Sequence, residues 1–484
     1  MSLEEIRTTR LDKLDKIRKA GFNPYPARTK RTHTLTEIGG QFDVLMDEMV
    51  PVTVAGRVRA VRGHGGSTFV DIEDGTEHLQ LYMKKDTLKD AYDFFLDVGD
   101  EGDIIEAVGT VFLTKKEERT LQVTAWRMLA KSILPLPEKW HGLQDIEERF
   151  RKRYLDIMFN EDVRVMIQNR ARFWHAMRRF MVEEGFLEVE TPVLENTAGG
   201  ADADPFATHH NALDMDVYLR ISCGELWQKR LMVAGFPKVF EIGRIFRNEG
   251  MSAEHLQDYT QMEFYWAYAD YEDGMRFVER LYKYIAKDVF GTLEFTIGDF
   301  TIDLDVPWER YDYQAIIRHE TGIDVLNTNT EEIEKKIREL GIVYNKGGMN
   351  IARGVDTLWK YCRKRVSGPG FLINVPVFLE PLAKRKEGAE NLVERFQVIL
   401  AGSEMGKGYS ELNDPIDQRE RFEEQQRMRD EGDAEAHMAD YDFVEALEYG
   451  MPPTCGFGVS ERLFSFLSNK SVRETQIFPL MRPK

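Results

Sequence analysis

Apolar and polar side chains alternate through residues 51–133 in short runs: VTVAGRVRAVRG, STFVDIED, EHLQLYMKK, DIIEAVGTVFLTKK and RTLQVTAWRMLAK. Gly63, Gly65, Gly66, Gly75 and Gly102 punctuate them. A period of two with glycine breaks predicts five short strands. Five such strands close into a small barrel of the OB type. Residues 3–21 instead set Leu11, Leu14 and Ile17 on one side of a helix, which Asn23-Pro24-Tyr25-Pro26 ends. Leu134-Pro135-Leu136-Pro137-Glu138 reads as a connector.

From Ile146 the period lengthens. Residues 161–185 predict a helix with Val165, Ile167, Phe173, Met177 and Phe180 apolar, ending at Gly185. Strands are expected around 218–222, 239–247, 259–268, 397–401, 408–413 and 455–459, forming a large antiparallel sheet flanked by helices. The fold class is therefore α+β. The expected organisation is a helical extension over 1–50, a barrel over 51–133, a linker over 134–160 and a larger domain over 161–484.

At 484 residues the chain exceeds one ordinary domain, which agrees with that division. The formal net charge of −18 argues against whole-surface binding to nucleic acid, but a local basic path survives it. Arg7, Arg10, Lys13, Lys16, Arg18, Lys19, Arg28, Lys30 and Arg31 face only Glu4, Glu5, Asp12 and Asp15 in the first segment. No apolar run approaches the roughly 20 residues that span a bilayer, and the charged N-terminus lacks a signal-peptide core. Cys223, Cys362 and Cys455 form no CxxC pair, so neither a disulfide framework nor a zinc site is expected. A reducing, cytoplasmic setting with no membrane partner fits best.

The densest chemistry lies in 246–265, FRNEGMSAEHLQDYTQMEFY. Arg247 sits two residues before Glu249, His255 and Tyr259 follow, and Glu263 and Tyr265 share one face of a strand. A guanidinium, an imidazole, an aromatic ring and a carboxylate suit a nucleotide. An antiparallel hairpin with ordinary surface ion pairs accounts for the same residues.

Resemblance adds to this reading. Phe246–Gly250 with the following His and aromatic residue resembles motif 2 of class II aminoacyl-tRNA synthetases. Phe186-Leu187-Glu188-Val189-Glu190-Thr191-Pro192 resembles motif 1, and Gly456–Leu463 resembles motif 3. GGADADPF at 199–206, AYADYEDGM at 267–275 and YSELNDPIDQRERF at 409–422 are similar to the lysyl-specific branch, and the similarity runs in order from about residue 3 to the end.

The resemblance implies ATP as substrate, with a carboxylate attacking its α-phosphorus and tRNA then taking the acyl group. It makes Arg247 the bridge between the amino-acid carboxylate and the α-phosphate, and Arg462 the partner of the γ-phosphate. It places Glu249 at the adenine amino group, His255 on phosphate, Tyr259 on the adenine face and Glu404 on Mg²⁺. A second family carboxylate seven residues earlier is Gln397 here, so one metal is expected to be bound more weakly, or Glu411 or water to substitute. For L-lysine it implies Glu411 and Tyr265 at the ε-ammonium, Glu225 and Glu263 in the pocket wall, and Gly200 near the α-amino group. Lys407 replaces a family Asn near the α-carboxylate; it would hold that carboxylate, or pair with Glu411 and shrink the pocket. In the barrel, Phe69 and Gln80, with Arg57 and Arg59, are implied to read the anticodon of tRNA(Lys). Pro192 marks a homodimer interface. The alternatives are a class II synthetase for another amino acid, a protein-lysylating or adenylate-forming paralogue, and a non-catalytic tRNA-binding regulator.

Overall fold

The computed structural model describes residues 2–137, 144–201, 203–248, 250, 255–344, 349–431 and 436–483. It divides into two compact units, Met1–Gln144 and Asp145–Lys484.

In the first unit the five expected strands are present. They are β1 (Val52–His64), β2 (Ser67–Glu73), β3 (His78–Lys84), β4 (Ile104–Leu113) and β5 (Arg119–Ala130), closed in the order β1-β2-β3-β5-β4. Alternation turns Val54, Val70, Ile72, Leu81 and Val123 into the barrel. The N-terminal segment shares this core through Ile17, Leu35, Ile38, Phe42 and Leu45. Its first helix, Leu3–Lys19, starts on a capping box in which Ser2 and Glu5 satisfy each other's backbone N–H groups.

The second unit is built on an eight-stranded sheet. Its strands run in the order 309–312, 370–373, 395–400, 403–410, 454–460, 258–267, 238–246 and 187–188. All pairs are antiparallel except the two edge pairs, 309–312 with 370–373 and 187–188 with 238–246. The segment expected as a strand at 218–222 belongs elsewhere. Met215–Leu219 forms a separate three-stranded sheet with 194–195 and 207–210, and the chain then turns at Ser222–Gly224 into a helix, Glu225–Val233. Residues 146–151 and 153–159 are helical within the second unit.

The period of two assigns opposite tasks to the two faces of the large sheet. Phe240, Met262, Phe264, Phe396, Val398, Phe457 and Val459 face one way. They meet Phe173, Met177 and Phe180 of the Glu161–Glu183 helix, and Phe277, Leu281 and Tyr282 of the Tyr271–Phe290 helix. Each fully buried ring of this kind contributes about 1.5–3 kcal/mol. The intervening residues, among them Glu263, Tyr265, Gln397 and Gly456, face the other way and line a cavity.

Candidate active site

The cavity holds about 300 Å³ and is walled by Gly200, Glu225, Arg247, Tyr259, Glu263, Tyr265, Gln397, Lys407, Tyr409, Glu411 and Gly456, among others. Register explains the convergence. Glu263 lies opposite Gly458, Tyr265 opposite Gly456, and Tyr409 also opposite Gly456 on the other side. The glycines leave the space: a Cβ on Gly456 would collide with Glu411 Oε1 and come within 2.7 Å of the Tyr265 ring. Gly200 has φ +86°, and a Cβ there would come within 2.6 Å of Ser222 Oγ.

Three carboxylates stand inside, each almost fully buried: Glu225, Glu263 and Glu411. Glu263 is held by donors on every side. Its Oε1 accepts from the backbone N–H of Cys223 at 2.7 Å and from Gln261 Nε2 at 2.6 Å, and its Oε2 accepts from the Tyr265 hydroxyl at 3.0 Å. The Ser222–Gly224 turn therefore builds the site as well as starting the helix. Glu225 Oε1 accepts from the Tyr409 hydroxyl and from Lys229 Nζ, the latter at 2.7 Å. Glu411 pairs with the same Lys229 at 2.5 Å. Burial pushes Glu411 up to about 8 against the pull of Lys229, and burial with the nearby Glu225 charge pushes Glu263 up to about 7.

Arg247 reaches the cavity with its Nε bonded to the Ile221 carbonyl at 3.1 Å and its guanidinium 5.9 Å from the Tyr259 ring centroid. Arg462 donates from Nη1 to the Glu404 carbonyl at 3.2 Å, and the Glu404 carboxylate accepts from Trp359 Nε1 at 2.6 Å. His255 is exposed on the approach to the 258–267 strand. Glu249 lies outside the described residues.

Two expectations change. Lys407 does not pair with Glu411; its Nζ is 3.2 Å from Glu380 Oε2, because Glu411 is already held by Lys229. Glu411 Oε2 is thus engaged by a cation of the protein itself, where the expectation had this residue substitute on a metal. Gln397 Oε1 accepts from Arg395, whose Nε pairs with Glu380 at 2.7 Å. Among the described residues no three His, Cys, Asp or Glu side chains gather as a metal cluster. The donor set fits Mg²⁺ only as an ion shared with a polyphosphate, with Glu404 as the protein carboxylate.

Comparison with known proteins agrees with this geometry. Residues 145–482 match the family model of class II tRNA synthetases (D, K and N), and residues 52–129 match the OB-fold nucleic acid binding domain. The chain is 47% identical to a lysine–tRNA ligase of Roseiflexus castenholzii, with all of both chains covered. It is 45% identical to one of Carboxydothermus hydrogenoformans, covering 100% of this chain and 99% of the relative. It is 42% identical to one of Halalkalibacterium halodurans, covering 100% and 98%.

The chain belongs to the lysine–tRNA ligase family of class II synthetases.

The barrel matches an OB-fold nucleic acid binding domain, and its outer face carries aromatic rings. Phe69 is half-buried outside the barrel core, with its ring 5.0 Å from Tyr82, which is 6.0 Å from Phe112. Gln80 points to the same outer side and is buried there, its Oε1 accepting from Thr120 Oγ1 at 3.1 Å. Arg59 pairs with Glu73 at 3.2 Å, and Arg57 donates to the Gly102 carbonyl at 2.8 Å. Arg57 and Arg59 are thus engaged with the barrel itself. No helix among the described residues is long and apolar enough to cross a membrane.

Sequence reading missed Lys229, Tyr409, Gln261 and Glu380. The i,i+4 spacing of Glu225 and Lys229 was visible, but such a pair normally lies on a helix surface. Only the fold places it inside.

Proposed function

We propose that this chain joins L-lysine to tRNA(Lys) in two ATP-driven steps. Three buried carboxylates facing one cavity carry this reading: they demand a cationic ligand, and lysine brings two ammonium groups. A pocket of this charge repels the side chains of aspartate and glutamate and leaves asparagine without a match for its acids.

In the first step the lysine carboxylate attacks the α-phosphorus of ATP. A new C–O–P bond forms and pyrophosphate leaves. Two anions must meet, so the protein supplies fixed cations and alignment. Arg247, braced by the Ile221 carbonyl, bridges the carboxylate and the α-phosphate. The nucleophile is already anionic, so no general base is required. Tyr259 offers a face for adenine, Arg462 a donor for the outer phosphate, and Gly200 a close backbone approach to the α-amino group. Bound with the nucleotide, Mg²⁺ would add charge for the departing pyrophosphate, held by Glu404. In the second step the terminal adenosine hydroxyl of tRNA takes the lysyl group and AMP leaves. Phe69, Tyr82 and Gln80 serve the anticodon, stacking worth roughly 1–3 kcal/mol per base.

The reading extends to a cytoplasmic homodimer. Its proposed contact is the segment around Pro192, where Leu187, Val193 and Leu194 are exposed apolar side chains. Charging of tRNA by the purified chain with ATP and labelled lysine tests the function. Acid-precipitable lysine at the tRNA 3′ end is expected; a protein that binds tRNA and leaves it uncharged would be a regulator instead.

A further inference from the structure

Lys229 does not line the cavity, yet it touches two of the cavity's three carboxylates. Its side chain is 1% exposed, on the inner face of the Glu225–Val233 helix. Nζ sits 2.7 Å from Glu225 Oε1 and 2.5 Å from Glu411 Oε2. Aromatic rings enclose it, with centroids at 5.4 Å for Tyr409 and 5.9 Å for both Tyr265 and Phe443. Burying an ammonium this deeply is costly unless it is paired on every side. Here two carboxylate oxygens and three aromatic rings face it.

The orientation of Glu411 gives the arrangement its meaning. Oε2 turns back to Lys229, while Oε1 lies against Gly456, which lines the cavity. One oxygen is spent on the protein and the other is presented to a ligand. The charges also balance. With all three carboxylates ionised, as a bound cation favours, Glu225, Glu263 and Glu411 against Lys229 and Arg247 leave one net negative charge. Lysine, with two ammonium groups and one carboxylate, carries one net positive charge. Without Lys229 the site would be short of a cation, and Glu225 and Glu411 would repel each other across the gap.

We propose that Lys229 is the positioning residue of the side-chain ammonium subsite, holding Glu225 and Glu411 from behind so that Glu411 presents one charged oxygen to the substrate. This rests on the reading that the cavity takes lysine. Lys229 touches neither substrate nor reacting atoms; it acts through the two carboxylates.

The test is pyrophosphate–ATP exchange by the full-length chain, with lysine and with norleucine, its uncharged counterpart. In Lys229→Met the KM for lysine rises about tenfold or more, as expected for a weakened buried charge pair. The preference for lysine over norleucine falls with it, while the KM for ATP holds. Lys229→Arg recovers part of the loss. A residue with a merely structural role would lower the amount of folded enzyme and leave KM and selectivity unmoved, and that result would overturn the proposal. Should Lys229→Met fail to fold, Lys229→Met combined with Glu411→Gln removes the charge and its partner together. The double variant should bind lysine little worse than Glu411→Gln alone; a further loss of about tenfold or more, the full effect expected of Lys229→Met by itself, would overturn the proposal. The wild-type arm separates the two claims, since exchange with an amino acid other than lysine overturns the lysine reading and this proposal with it.

Discussion

Gln397 and Lys407 face each other across the ladder between strands 395–400 and 403–410. Both positions depart from the family's pattern, Gln397 losing a negative charge at the expected metal position and Lys407 gaining a positive one near the expected amino-acid carboxylate. Glu380 takes both Arg395 and Lys407, so this wall carries an excess of cation. The Mg²⁺ requirement is the quantity this wall should change. Lys407→Ala should raise the Mg²⁺ concentration for half-maximal exchange by about threefold or more, because a fixed cation near a polyanion offsets part of the metal's work. Titration of exchange rate against Mg²⁺ measures it, and an unchanged midpoint would mean that Lys407 serves only Glu380.

Arg247→Ala removes a braced donor from the place where charge develops in adenylation. The rate of adenylate formation should fall by roughly 10²–10³, the usual loss for one preorganised transition-state contact. Single-turnover formation of lysyl-adenylate is the readout; a rate near that of the unmodified chain would remove Arg247 from the chemistry.

The raised carboxylates predict a pH dependence of defined sign. Glu411 near 8 and Glu263 near 7 hold protons in the empty folded protein at pH values where an ordinary glutamate, at 4.5, has released them. The native state therefore binds more protons than the unfolded one between about 4.5 and 8, and the stability of the empty protein falls as pH rises through that window. Lysine binding favours the ionised carboxylates, so it expels protons and strengthens as pH rises from about 6 to 8. Calorimetry at pH 7 in two buffers of different ionisation heat reports the released protons. Proton uptake on binding would contradict the assignment, and Glu411→Gln should shrink the release.

Phe69→Ala separates the modules. Loss of one stacked base costs roughly 1–3 kcal/mol, about fivefold to 150-fold in the KM for tRNA. Lysine-dependent pyrophosphate exchange should stay at its normal rate. An equal fall in both would mean that the barrel supports catalysis directly.

The fold was legible in the sequence because periodicity reports which face is buried. The barrel's five strands, the Glu161–Glu183 helix and most of the large sheet follow from it. The strand expected at 218–222 was not legible, because Ile221 and Cys223 are buried within a turn that feeds Glu263, and burial in a turn resembles burial in a strand. Within the site, Glu263 and Tyr265 could be placed together from their spacing alone. Glu411 and Lys229 could not, since 182 positions separate them and only the pairing of the sheet with the Glu225–Val233 helix joins them. The same holds for Lys407, whose partner Glu380 lies outside every motif.

Pyrophosphate–ATP exchange with each of the twenty amino acids offered separately tests the central claim most directly. Exchange with lysine, at least roughly 10⁴-fold above any uncharged amino acid, is the predicted result, since a site built to pair an ammonium rejects a ligand that lacks one. Comparable exchange with an uncharged or acidic amino acid would contradict the pocket formed by Glu225, Glu263 and Glu411.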